Sequence, residues 1–165
     1  MMKRELTLTD IAGYLPHKLQ IESQFGGEIC AANIWNLQGA IVANFKPILR
    51  PMSDLCEEIT EQGYNEGKPF VPIVTMAKVA YNGVGDWGHP IYSGEVYQCS
   101  CNGIFYGFEP ADGSFIVCDQ TGFPVFSPKQ RDLFDLLHRL HFDYRGLIDA
   151  GLAVSVHDLK QNPYE

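Results

Sequence analysis

The sequence predicts an α+β domain: antiparallel sheet, with a C-terminal amphipathic helix packed across one face. Three observations predict it. Residues 17–50 carry strand-like runs separated by glycine turns, residues 91–126 carry a second such set, and residues 128–144 carry apolar side chains at helical spacing. At 165 residues and 45% apolar composition, the chain is long enough to bury one ordinary core. It reads as a single domain over 1–165, with 64–127 as a second β unit or an insertion.

The elements follow in order. Thr7 and Asp10 form a weak capping box, with Leu6 and Ile11 as a hydrophobic staple, so a short helix starts at Leu8 and ends at Pro16. Lys18 to Glu22 alternates at period two, Gly26-Gly27 marks a hairpin, and Glu28–Leu37 and Ala40–Phe45 complete a three-stranded meander. Prolines at 47 and 51 keep Lys46–Pro51 extended. Ser53 caps a short helix with Asp54, Glu57 and Glu58 in its first turns, where the helix dipole favours acids, and Gly63 stops it. Residues 70–81 read as a helix entered at Pro72, and Asn82–Pro90 as a glycine-rich loop. Val96–Cys101, Gly103–Phe108 and Ser114–Asp119 read as strands, with turn chemistry at Glu109–Gly113. Ser127-Pro128-Lys129-Gln130 then gives an N-cap, a proline at the first helical position and a closing glutamine. Leu133, Leu137, Leu140, His141 and Tyr144 make the helical stripe, and Gly146 the C-cap.

Composition narrows the function classes. A formal charge of −8, from 20 acidic and 12 basic residues, repels a phosphate backbone, so nucleic acid is not the expected partner. No run approaches the roughly 20 apolar residues of a membrane span, and the first residues hold no apolar leader, so no membrane partner is expected. Five cysteines, an odd number, argue against a disulfide framework and for reduced thiols in a cytosol.

Three segments carry a resemblance: Leu6-Thr7-Leu8-Thr9-Asp10-Ile11-Ala12-Gly13-Tyr14-Leu15-Pro16, the run Lys46–Leu55, and His141-Phe142-Asp143 with Gly146-Leu147-Ile148 and Gly151-Leu152-Ala153. Together they cover about a third of the chain, and there it resembles a family of small uncharacterised proteins encoded by phages and prophages of gut anaerobic bacteria. The resemblance implies a phage or prophage gene expressed in a bacterial cytoplasm. It implies no activity and no catalytic residues. Residues 64–127 depart from the family pattern.

Candidate chemistry is sparse. Gly83-Val84-Gly85-Asp86-Trp87-Gly88 matches G-x-G-x-x-G, but His89-Pro90 and a strand-like run follow where a dinucleotide site needs a helix, so it reads as a surface loop. Cys99 and Cys101 fall on one face of a strand, with Cys118 on a strand that could pair nearby. One residue between thiols is tight for zinc, and these read as buried, inert cysteines. His138 and His141 stand three apart on the last helix, His141 on its apolar stripe, and they read as packed histidines. Cys99, Cys101, His138 and His141 are thus weak metal candidates, and no cofactor is expected. No nucleophile signature or acid–base pair stands out.

The aromatic residues Trp87, Tyr92, Tyr97, Phe105, Tyr106 and Phe108 gather in the departing segment. Most should fill a β core, but Asp86, Trp87, His89 and Tyr92, on or beside a glycine loop, are the candidate binding residues. The expected function is a non-catalytic accessory protein that binds a protein partner or itself. The alternatives are a protein that sequesters a nucleotide signal, for which Arg50, Lys78, Lys129 and Arg131 are the available cations, and a metal- or cysteine-dependent enzyme.

Overall fold

Among the described residues there are two four-stranded sheets, each inside its own compact unit. The structure is a computed structural model that describes residues 4–33, 36–37 and 45–165. The first unit combines residues 1–51 with 137–163, and the second combines 52–136 with 164–165. The fold is α+β, as the sequence predicts.

In the first unit, α1 (Leu8–Ile11) starts where the capping box places it. The Thr7 N–H and hydroxyl both donate to Asp10 Oδ2, at 2.9 and 2.8 Å. The helix does not run on to Pro16. It tightens into a 3₁₀ turn over Ala12–His17, with Pro16 inside it, and leaves through Lys18 in the left-handed region.

Strands β1 (Gln20–Ser23) and β2 (Ile29–Ala31) form the hairpin expected at Gly26-Gly27, with Gly27 at φ +67. β2 stops at Ala31, short of the expected Leu37, because Asn33 and Asn36 exchange side-chain bonds with each other's backbone N–H at 2.7 and 3.1 Å. Such local amide bonds compete with ladder pairing. Strand β3 (Phe45–Leu49) pairs antiparallel with β1, and β8 (Val154–Ser155) pairs parallel with β3. Among the described residues the order is β2-β1-β3-β8, with β1 and β3 inside. The expected strand at Ala40–Phe45 lies outside the described residues up to position 44. Pro47 is tolerated in β3 because β8 pairs only with Ile48 and Leu49. Ile11, Tyr14, Leu19, Ile21, Leu49 and Leu147 centre the core.

In the second unit, a 3₁₀ turn (Met52–Cys56) stands where a capped helix is expected. Helix α2 (Pro72–Ala80) opens on Pro72 as expected, a residue whose missing N–H costs nothing in a first turn. Its buried face, Ile73, Met76, Ala77 and Ala80, lies at 3.6-residue spacing. Strands β4 (Gly88–Tyr92), β5 (Tyr97–Cys101), β6 (Ile104–Glu109) and β7 (Ser114–Asp119) form an antiparallel meander. The last three fall where the alternation predicts them. β4 corrects the expected loop at 82–90: an edge strand accommodates Pro90 and a register shift between Gly88 and Ile91, with His89 at φ +53.

Helix α3 covers Gln130–Arg139, not 128–144, and the chain continues well beyond it. Leu133 N–H donates to the Lys129 carbonyl at 3.1 Å, which makes Lys129 rather than Ser127 the N-cap. At the other end, Phe142 N–H reaches the Leu137 carbonyl (2.9 Å) and His141 N–H the His138 carbonyl (3.1 Å), with His141 at φ +60. This is a Schellman closure with histidine at the position where glycine is usual, so His141 and not Gly146 ends the helix. Phe134 of α3 meets Phe115 of β7 edge-on at 4.9 Å, which seats the helix on the second sheet.

Candidate binding groove

Strand pairing across a long turn builds a concavity in the second unit. Ile59 and Phe70 exchange both backbone hydrogen bonds at 2.9 Å and pinch off the segment between them. Inside it, Asn65 and Glu66 take left-handed conformations, and Asn65 Nδ2 donates to the carbonyls of Lys68 and Pro69 at 3.0 and 3.3 Å. The turn so fixed lays the Tyr64 ring on Phe70, centroids 4.8 Å apart. A second wall comes from the N-cap Val71 and from Val74, Thr75 and Lys78 of α2, which lie opposite the buried face. Trp87 and its neighbours Gly88 and Pro90 complete the lining.

The groove holds about 790 Å³, within the range of small-molecule and peptide sites. Its charged lining residues are Glu58 and Lys78, one of each sign. Trp87 is held from behind: its Nε1 donates to the Val84 carbonyl at 3.0 Å, and the Tyr81 ring stands edge-on 6.1 Å away. A Cβ on Gly85 would sit 2.8 Å from Trp87 Nε1, and φ there is +106, so this loop position requires glycine. A smaller hollow of about 550 Å³, lined by Tyr81, Val84, Phe126 and Lys129, adjoins the same loop.

Of the four binding candidates, Trp87 alone lines the groove. Asp86 is exposed on the loop, and His89 forms the bulge of β4. Tyr92 is spent locally, stacked on Tyr97 at 4.3 Å with its hydroxyl donating to the Gly94 carbonyl at 2.7 Å. The groove residues missed by sequence reading, Tyr64, Phe70, Val74 and Lys78, had one legible signal. The second apolar stripe of α2 leaves half-exposed valines where the buried face already accounts for the core.

The metal candidates do not assemble. Cys99 and Cys101 share the inner face of β5, but β6 separates β5 from β7. Cys118 pairs with Phe105, in the row of Ser100, and so points to the opposite face. Burial pushes the Cys99 thiol up to about 12, with Cys56 and Cys101 adding to the effect. Burial also raises Cys56, against a hydrogen bond from the Gln98 N–H. His138 and His141 belong to the first unit, where His141 Nε2 bonds the His17 carbonyl (2.8 Å) and His138 Nε2 the Tyr144 hydroxyl (2.7 Å). Among the described residues no three His, Cys, Asp or Glu side chains are placed to hold a metal ion. No helix among them is long and apolar enough to cross a membrane.

No protein-family model, curated protein or solved structure matches the chain.

Proposed function

We propose that the protein is a phage- or prophage-encoded accessory protein of the bacterial cytoplasm that binds an extended, apolar segment of a protein partner in the Tyr64–Phe70–Trp87 groove. The observation that carries this reading is three aromatic rings lining one open groove of about 790 Å³ whose charges balance. Aromatic walls supply large contact area at little entropic cost and favour extended, proline-bearing or aliphatic segments. Glu58 and Lys78 at the same groove would fix the segment's direction rather than its affinity. The phage origin rests on the three resembling segments.

The groove gives little support to nucleotide sequestration, which needs converging cations. Lys78 is the one cation in its lining, and Arg50, Lys129 and Arg131 lie outside it. It gives little support to catalysis either, since its lining holds no histidine, cysteine or serine.

Selection of a random-peptide library on the immobilised protein, followed by calorimetry of the best peptide, tests the proposal. Trp87→Ala should weaken that peptide by about 30-fold, the size of a binding hot spot. Thr75→Arg, which fills the groove from a half-exposed position, should abolish binding without disturbing the core. Equal affinity for wild type and Thr75→Arg would refute the site.

A further inference from the structure

The hydroxyl of Tyr144 stands between a base and a cation. His138 Nε2 is 2.7 Å from it, and Arg145 Nε donates to it at 3.2 Å. The arginine also lies over the phenol ring, its Cζ 5.3 Å from the centroid. All three belong to the first unit and are independent of the groove.

The placement is built by several parts of that unit. The His138 ring occupies the space a side chain at position 13 would need: a Cβ on Gly13 would lie 2.4 Å from ring atoms of His138. Tyr14 abuts the ring edge-on at 4.9 Å, and its own hydroxyl is fixed on the Phe142 carbonyl at 2.6 Å. Arg4 steadies the arginine's backbone by donating to the Arg145 carbonyl at 3.2 Å. Tyr144 and His138 are half-buried and Arg145 is exposed, so the hydroxyl can be reached from solvent. Beyond Nε, the guanidinium of Arg145 takes no hydrogen bond among the described residues.

A phenol is a weak nucleophile until a base stands within about 2.6–3.2 Å to take its proton. A guanidinium with its remaining N–H groups outward is a fork that matches the oxygens of a phosphate. We propose that Tyr144 is a nucleophile that accepts a phosphoryl group from a phosphate ester, with His138 as its base and Arg145 as the holder of the ester's oxygens. In the step, the Tyr144 oxygen bonds phosphorus while its proton passes to His138 Nε2. The bond from phosphorus to the leaving oxygen breaks in line, on the side away from Tyr144; that oxygen takes a proton from water, and His138 returns its proton to solvent. The products are phosphotyrosine at 144 and the free alcohol or phenol, with no further reactant consumed.

The test uses the full chain and p-nitrophenyl phosphate. The expected result is release of one p-nitrophenolate per chain and one phosphoryl group on the peptide that carries Tyr144. Tyr144→Phe should show neither. His138→Gln should slow the release by about 100-fold or more, as loss of a base does. Arg145→Gln, at an exposed position, should slow it by at least about 10-fold. Absence of phosphoryl on Tyr144 would overturn the assignment, as would labelling at the same rate in Arg145→Gln.

Discussion

The phenol of Tyr14 donates to the backbone carbonyl of Phe142 at 2.6 Å, joining positions 128 residues apart. Both residues are fully buried. The bond ties the N-terminal turn to the strand-like segment after α3, where Arg50 and Phe142 pair as a parallel bridge. Tyr14→Phe removes this bond and leaves the Phe142 carbonyl to the Tyr144 N–H at 3.1 Å, so stability should fall by about 1 kcal/mol, the net worth of one hydrogen bond. Urea denaturation with unchanged slope checks it.

Asp10 gives the stability of the first unit a defined pH dependence. Burial opposes its charge, but the Thr7 hydroxyl, the Thr7 N–H and Arg4 more than offset this and hold the carboxyl below its ordinary value of 3.8. A depressed carboxyl contributes stability above its unfolded value and loses it as pH falls through its folded one. Asp10→Asn should therefore cost about 1 kcal/mol near neutrality, as loss of a helix cap does. The gap should close as pH falls below 3.8. Denaturant melts of both proteins along an acid series measure it.

The same sequence left some of this legible and hid the rest. Helix α2 and strands β5–β7 were readable because their signals are local: Pro72 at the first turn, alternating side chains, and Glu109–Gly113 as a turn. The order β2-β1-β3 was not, because the alternation of β1 is satisfied by a partner on either edge. The end of α3 was misplaced because histidine at φ +60 runs against local preference. The buried His141 side chain compensates through its 2.8 Å bond to the His17 carbonyl, a contact 124 residues away in sequence. The groove was half legible. Trp87 drew notice as an aromatic on a glycine loop, but Tyr64 and Phe70 join it only through the Ile59–Phe70 bridge.

Cysteine reactivity should separate by burial. With its thiol pushed up to about 12, Cys99 presents about a thousandfold less thiolate than an ordinary thiol. Brief iodoacetamide treatment of the native protein at mildly alkaline pH should label half-buried Cys101 and Cys118 and leave Cys99 intact. All five should label after unfolding. Peptide mass mapping reads this directly, and rapid native labelling of Cys99 would contradict the burial described for it.

Asp143 holds the turn after α3 by accepting from Leu147 N–H at 2.8 Å and Ile148 N–H at 2.7 Å. An amide has only one acceptor to offer these two donors. Asp143→Asn should therefore destabilise the protein by about 1–3 kcal/mol, although it is nearly isosteric. Thermal and urea melts of this variant and of the exposed control Asp149→Asn separate the effect from simple loss of charge.

The measurement that tests the central claim most directly is amide chemical-shift mapping of the labelled protein during titration with a library-selected peptide. The account predicts that the largest shifts fall at Tyr64, Phe70, Val74, Thr75, Lys78 and Trp87, saturate together, and vanish in Thr75→Arg. Saturable shifts centred elsewhere, with those groove amides unmoved, would contradict it.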